Sequence, residues 1–386
     1  MHIATKAVSI SIALAVLGGC STLQSLNPFA SKPTPRNPPA ALVDFKPSMT
    51  VKTAWSVNVG SAGNALFNPA LGGDSIYVAA ADGTLARLEA DTGRQIWRIK
   101  AGMPLTAGVG ASADTIAVGA AGGVVLAFSA DGKQRWKAQA SSEILGAPAV
   151  AQGLVIVRSI DNRIVAFDAD SGTRKWQLQR NAPALALRSA PGIAVDSQSA
   201  YVGLPGGRLV SLALSNGGPR WEVAVGDPRG ATELERIADV SGIPLLLGRE
   251  ICAVAYQGRL GCVDAASGAT RWAKEFSSEV GLGADERHVY GADDRGNVSA
   301  LTRDAGVSVW RNTSLANRRL ATPVALGRTV AVGDYQGYMH FLSPEDGALM
   351  ARVASDGSRV IGTPVVAGSS LIFQTQAGTV AALRAE

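Results

Sequence analysis

The chain is poor in the residues that make chemistry. Three cysteines and three histidines are spread over 386 residues. None of His2, His288, His340, Cys20, Cys252 or Cys262 stands at metal-ligand spacing, which argues against a zinc or haem site. His288 and His340 lie in strand-like stretches without a matching serine or aspartate motif, so they read as structural histidines and no Ser-His-Asp set is supported. Charged residues make up only 17%. The net charge of +5 is scattered, with no Lys/Arg run interleaved with aromatics, so the surface reads as solvated and nucleic acid is not an expected partner. Aromatics amount to 5%, while glycine is plentiful at 44. That balance fits a turn-dense, β-rich globular protein, not disorder.

The few tryptophans are all in one register. A glycine stands four residues before a tryptophan at Gly93/Trp97, Gly132/Trp136, Gly172/Trp176, Gly217/Trp221, Gly268/Trp272 and Gly306/Trp310. Gly347 opens a further copy with Ala351 in the tryptophan slot, and Trp55 stands near the start without its glycine. Successive slots from Trp55 to Ala351 are 42, 39, 40, 45, 51, 38 and 41 residues apart. A period near 40 overrides the two or three domains that length alone suggests, and means a repeat architecture.

Each unit reads as four short strands. In the first, Asp82-Gly83 turns the chain between Ser75–Ala80 and Thr84–Glu89, and Asp91-Thr92-Gly93 turns it again into the strand that carries Trp97. A proline opens the innermost strand, and Pro69→Trp97, Pro148→Trp176, Pro244→Trp272 and Pro323→Ala351 are each 28 residues. Four antiparallel strands cannot cover both their own faces, and an open stack would leave edges prone to pairing, so closure into a ring is favoured. The last unit lacks its tryptophan strand, and the first tryptophan strand lacks its unit. The expected fold is therefore an all-β, eight-bladed β-propeller of four-stranded antiparallel blades over residues 49–386. Residues near Lys52–Val59 close the last blade. The Gly-x-x-x-Trp unit resembles the tryptophan-docking repeat of quinoprotein (PQQ-type) propellers, which implies that each indole packs on the neighbouring blade.

The N-terminus has the layout of an export signal. Lys6 supplies the positive charge, and Ala7 to Val16 form an apolar run too short to span a bilayer, which needs ~20 residues. Leu17-Gly18-Gly19-Cys20 resembles a bacterial lipobox. The resemblance implies a signal peptide over 1–19, cleavage before Cys20 and lipidation of Cys20. Several acyl chains would anchor stably, since each buried CH₂ contributes ~0.8 kcal/mol. Ser21, where an aspartate would mean inner-membrane retention, implies by the same resemblance an outer-membrane lipoprotein facing the periplasm. Residues 20–48, rich in Ser, Pro and Asn, read as a flexible tether.

The rhythm breaks in one region. Trp221→Pro244 is 23 residues, against 12 to 15 in four comparable links, so about ten extra residues project within Gly226–Gly242. Thr232–Ala238 can form a helical turn with Glu233, Glu235 and Arg236 exposed. The preceding link, Asn181–Ala190, carries Leu185, Leu187 and Arg188, with spacing that places both leucines on one side of an extended segment. Exposed leucines beside an arginine suit an interface, although they also suit a cap on the blade core.

Taken with the lipobox, the tether and the repeats, LALRSAP and TELERIADV resemble the BamB family, lipoproteins of the outer-membrane β-barrel assembly machinery. The resemblance implies a non-catalytic scaffold without cofactor that binds periplasmic domains of BamA through Leu185, Leu187, Arg188 and Asp239, and that aids folding and insertion of outer-membrane β-barrel proteins. Ser241 stands where the family often has a second acidic residue, and the link at 185–191 is shorter than the family's usual form. Two alternatives remain at this point: a quinone-dependent periplasmic dehydrogenase, and a ligand-sensing envelope propeller. Against the first, the chain has no adjacent cysteines and only one clearly enlarged link, and its acidic residues sit mostly in turns that favour Asp for backbone reasons. Cys252 and Cys262 flank the Gln257-Gly258 turn. A three-residue loop would let them face each other and bridge, whereas a two-residue loop would turn them to opposite faces.

Overall fold

The computed structural model describes residues 37–181, 183, 185–187 and 191–385. These form eight four-stranded antiparallel sheets, and the inner strand of each touches that of the next. The inner strand Val360–Ala367 of the last sheet in turn meets Ala70–Gly72 of the first, which closes the ring. The result is the expected eight-bladed propeller. Blades 1 to 7 span residues 70–100, 105–139, 149–179, 193–224, 240–275, 282–312 and 324–354. Blade 8 takes three strands from 360–385 and its outermost strand, Val51–Asn58, from the other end of the sequence, with Trp55 opposite Ala382.

Burial follows from sheets standing face to face. The second strand of a blade is covered on both sides, as in the fully buried Ser75–Ala79, so most of its residues are apolar. The outer strand alternates, as in Arg174–Gln179, where Trp176 is the buried residue among exposed polar ones. The core accordingly lies between blades. One cluster joins Trp55, Ala382 and Val380 of blade 8 to Ile76, Val78 and Leu88 of blade 1.

All seven tryptophans fasten neighbouring blades. The Trp55 indole donates from Nε1 to Ala90 O at 2.9 Å, Trp136 to Ala169 O at 2.9 Å and Trp310 to Pro344 O at 2.8 Å, each acceptor lying in the glycine turn of the next blade. The glycine is needed twice over at Gly93. Its φ is +69°, and a Cβ there would stand 2.5 Å from Trp55 Cδ2. The same pairing explains Ala351. The third and outer strands of blade 8 come from opposite ends of the sequence, so no tight turn joins them and an indole at 351 would have no glycine to rest on. Met49 and Val51 pack against that cluster instead.

One expectation needs correcting. Residues 40–48, read as the end of a flexible tether, are strapped to blade 7 and the link that precedes it. Ala40 N–H donates to Ala316 O at 2.8 Å and Ser48 N–H to Met350 O at 3.0 Å. Arg318 donates to Ala40 O at 2.9 Å, Arg352 donates to Val43 O at 3.0 Å, and the Arg352 guanidinium covers the Phe45 ring at 5.1 Å. Composition alone could not reveal this, because the arginines that hold the strap are some 270 to 310 residues away. Residues 1–36, with the expected signal and Cys20, lie outside the described residues.

The hairpin in blade 5 uses the three-residue loop. Cys252 and Cys262 stand directly opposite with Cα atoms 4.0 Å apart and are joined by a disulfide. Both are fully buried. Dithiothreitol with iodoacetamide is therefore expected to leave the pair unlabelled in the native chain and to label both after denaturation, as read by mass spectrometry. Cys252→Ala/Cys262→Ala should lose about 2–3 kcal/mol of stability, the scale of a short closed loop. Labelling without denaturant, or an unchanged urea midpoint, would contradict this.

Candidate partner-docking site on the link face

The links between blades and the loops between second and third strands share one face of the ring. Asp239 shows how they are tied together there. Its Oδ2 accepts from Leu187 N–H at 2.5 Å, in the link before blade 4, and its Oδ1 accepts from Gly206 N–H at 3.0 Å, in the second loop of blade 4. Its own carbonyl accepts from Tyr256 N–H at 2.9 Å in blade 5. Asp239 is only 2% exposed. Burial pushes its carboxyl above the usual carboxylate range, against the two backbone bonds and the Arg158 charge, which pull it down. Burial likewise lowers the Arg158 guanidinium to about 10, with Asp239 opposing.

The expectation that Asp239 offers itself to a partner is thus corrected in its geometry. The side chain faces inward and fixes the backbone from which Leu187 projects. An aspartate in a long link reads as surface from sequence, and nothing local marks it as the acceptor for an amide 52 residues earlier. The two leucines also separate. Leu185 is 44% exposed, whereas Leu187 is half-buried and lines the cavity at the ring's axis. The alternation argument fails because 185–187 are not in a strand. Arg188 lies outside the described residues.

The enlarged link forms a single helical turn at 233–236. Glu235 accepts from Ala231 N–H at 2.8 Å and Thr232 N–H at 3.0 Å, while Glu235 N–H donates to Thr232 Oγ1 at 3.3 Å. This is a capping box, legible in Thr232-x-x-Glu235. With Glu235 turned back on the turn and Arg236 donating to Gly230 O at 3.0 Å, Leu234 is left at the tip. It is 69% exposed, the most exposed of the large apolar residues among those described. The expanded link thus presents Leu234, and the preceding one Leu185, to solvent. That is a surface able to bury apolar area against a protein. Among the described residues no three His, Cys, Asp or Glu side chains converge to hold a metal ion.

The family model for "Outer membrane protein assembly factor BamB" matches residues 49–104, 81–312 and 294–386. The outer membrane protein assembly factor BamB of Burkholderia pseudomallei is 43% identical over 378 residues, covering 98% of this chain and 97% of that one. Its counterpart in Bordetella pertussis is 43% identical over 371 residues, 96% of each chain. The crystal structure of BamB from Moraxella catarrhalis is similar with a TM-score of 0.80 and 26% identity, over 87% of this chain and 100% of that chain. With a ring of eight blades, seven of whose junctions are fastened by a tryptophan, and family matches running across the whole of it, this chain belongs to the BamB family of outer-membrane protein assembly factors.

Proposed function

We infer that the chain is a non-catalytic assembly factor for outer-membrane proteins, held at the outer membrane by lipid on Cys20 and facing the periplasm, and that it docks periplasmic domains of BamA on its link face. The role follows the names of its relatives. The observation that carries the docking site is the pair of adjacent links that leave Leu185 and Leu234 in solvent where the 40-residue rhythm breaks. Leu185, Leu187 and Arg188 make the contact in this reading, and Asp239 acts as a positioning residue through the Leu187 amide. An exported leader over 1–19 and a tether from Cys20 to about residue 39 belong to the same proposal.

The test is co-purification and titration with BamA periplasmic domains. Leu185→Ala/Leu187→Ala is expected to weaken binding at least ten-fold, the scale of losing interface anchors worth roughly 2 kcal/mol, with an unchanged melting curve. Asp239→Asn should weaken binding as well, since it loosens the Leu187 backbone without touching the partner. Undiminished binding by the double variant would place the site elsewhere.

A further inference from the structure

At the centre of the link face, the starts of the inner strands frame a cavity of about 360 Å³, within the ~300–1,000 Å³ of ligand sites. Leu66, Leu145, Leu187 and Val280 give it an apolar wall. The Thr322 and Thr363 hydroxyls, 3.1 Å apart, lie on its polar side. Arg359 stands in the same wall. Its Nε is sealed from solvent without a hydrogen-bond partner, and among the described residues its guanidinium makes no ion pair. Burial lowers its pKa, the neighbouring Arg319 lowers it further, and Glu279 on the rim opposes them.

Arg318 is treated differently. Arg318, 2% exposed, donates to Asp334, Gln336 and Ala40 O. A half-buried cation beside a like charge, with no ion pair among the described residues and only the exposed Glu279 to offset it, is costly unless an anion arrives to pair with it. A planar guanidinium matches carboxylate and phosphate equally well. Glu279, exposed on the same rim, disfavours a doubly charged group more than a singly charged one. We propose that the axial cavity binds a carboxylate carried on a short apolar group, with Arg359 receiving the carboxylate and the leucine-lined wall receiving the apolar part. A peptide C-terminus and a short fatty acid both carry that chemistry.

Titration of the full chain with N-acetyl-leucine, N-acetyl-leucinamide, hexanoate and inorganic phosphate at fixed ionic strength, followed by calorimetry, tests the site. At least one carboxylate should bind saturably, at least ten-fold tighter than the amide and than phosphate. Preference for N-acetyl-leucine identifies a peptide terminus, and preference for hexanoate a fatty acid. Arg359→Gln should lose at least ten-fold for the carboxylates, leave the amide unchanged, and melt no lower than the parent, because it removes a charge that nothing pairs. If that variant does not fold, Arg359→Lys should still weaken the carboxylates several-fold. No saturation by either carboxylate, equal binding of amide or phosphate, or unchanged affinity in the Arg359 variants overturns the proposal.

Discussion

Asp334→Ala is expected to destabilise the propeller by about 3–5 kcal/mol, the cost of breaking a buried ion pair by removing one partner. Asp334 is fully buried between two cations or potential cations. Arg318 donates to its Oδ2 at 2.8 Å, and His340 Nε2 lies 2.9 Å from the same oxygen. Its other oxygen accepts Gln336 N–H at 2.8 Å and Tyr338 N–H at 3.0 Å. The variant strands a buried guanidinium and two backbone amides at once. Arg318 also holds Ala40, so the strap over 40–48 should become accessible to protease before the ring unfolds. A urea midpoint within error of the parent, or an uncut strap, would refute the network's role.

The same cluster sets a pH dependence. Arg352 Nε donates to His340 Nδ1 at 3.4 Å, so the ring is neutral with its proton on Nε2 toward Asp334. Protonating Nδ1 would oppose Arg352. Burial lowers the His340 pKa, Asp334 pulls it back up, and the Arg352 and Arg318 charges lower it again, leaving it below its ordinary value. Because the unfolded chain binds the proton more readily, the neutral-histidine contribution is present above about pH 6.5 and is lost as pH falls below that. Burial alone would raise Asp334, yet its bonds to His340, Tyr338 N–H and Arg318 hold it below the usual carboxylate range. Its contribution is therefore lost at more acid pH, below about 4. His340→Gln should flatten the upper of these two losses and leave the lower one.

The repeat made the ring legible in advance. Glycine, tryptophan and proline at fixed offsets are local demands of every blade, so one chain displays them many times and the missing strand could be counted. What failed was whatever depended on a single distant partner. Asp239 reads as surface because nothing near it in sequence shows Leu187 and Gly206 closing over its oxygens. The strap reads as tether because its proline-rich neighbour sets the composition while Arg318 and Arg352 set the contacts. The cysteine pairing hung on one residue of loop length. Arg359 gave no signal at all, since an arginine at a strand start is ordinary until its buried Nε proves to have no partner among the described residues.

Trp55→Ala should cost about 3–5 kcal/mol, the range for truncating a large buried aromatic. Trp55 is the fastening contributed by the strand that joins the two ends of the chain, so its loss weakens ring closure itself. Trp97→Ala should cost less. Trp97 is only half-buried, and its glycine is looser, since a Cβ at Gly132 would stand 3.2 Å from the indole against 2.5 Å at Gly93. Gly93→Ala probes the same joint from the other side. It pays about 1–2 kcal/mol for a left-handed backbone and about 1–3 kcal/mol for pressing a methyl into the Trp55 ring. In Gly93→Ala/Trp55→Ala the second of these terms disappears, because the ring it presses on is gone. The double variant should therefore be more stable than the sum of the single losses predicts, by about 1–3 kcal/mol. Urea melts of the four proteins measure that coupling directly. Losses that add to within about 0.5 kcal/mol would mean that glycine and indole serve blade geometry separately, and that the ring is not held shut through their contact.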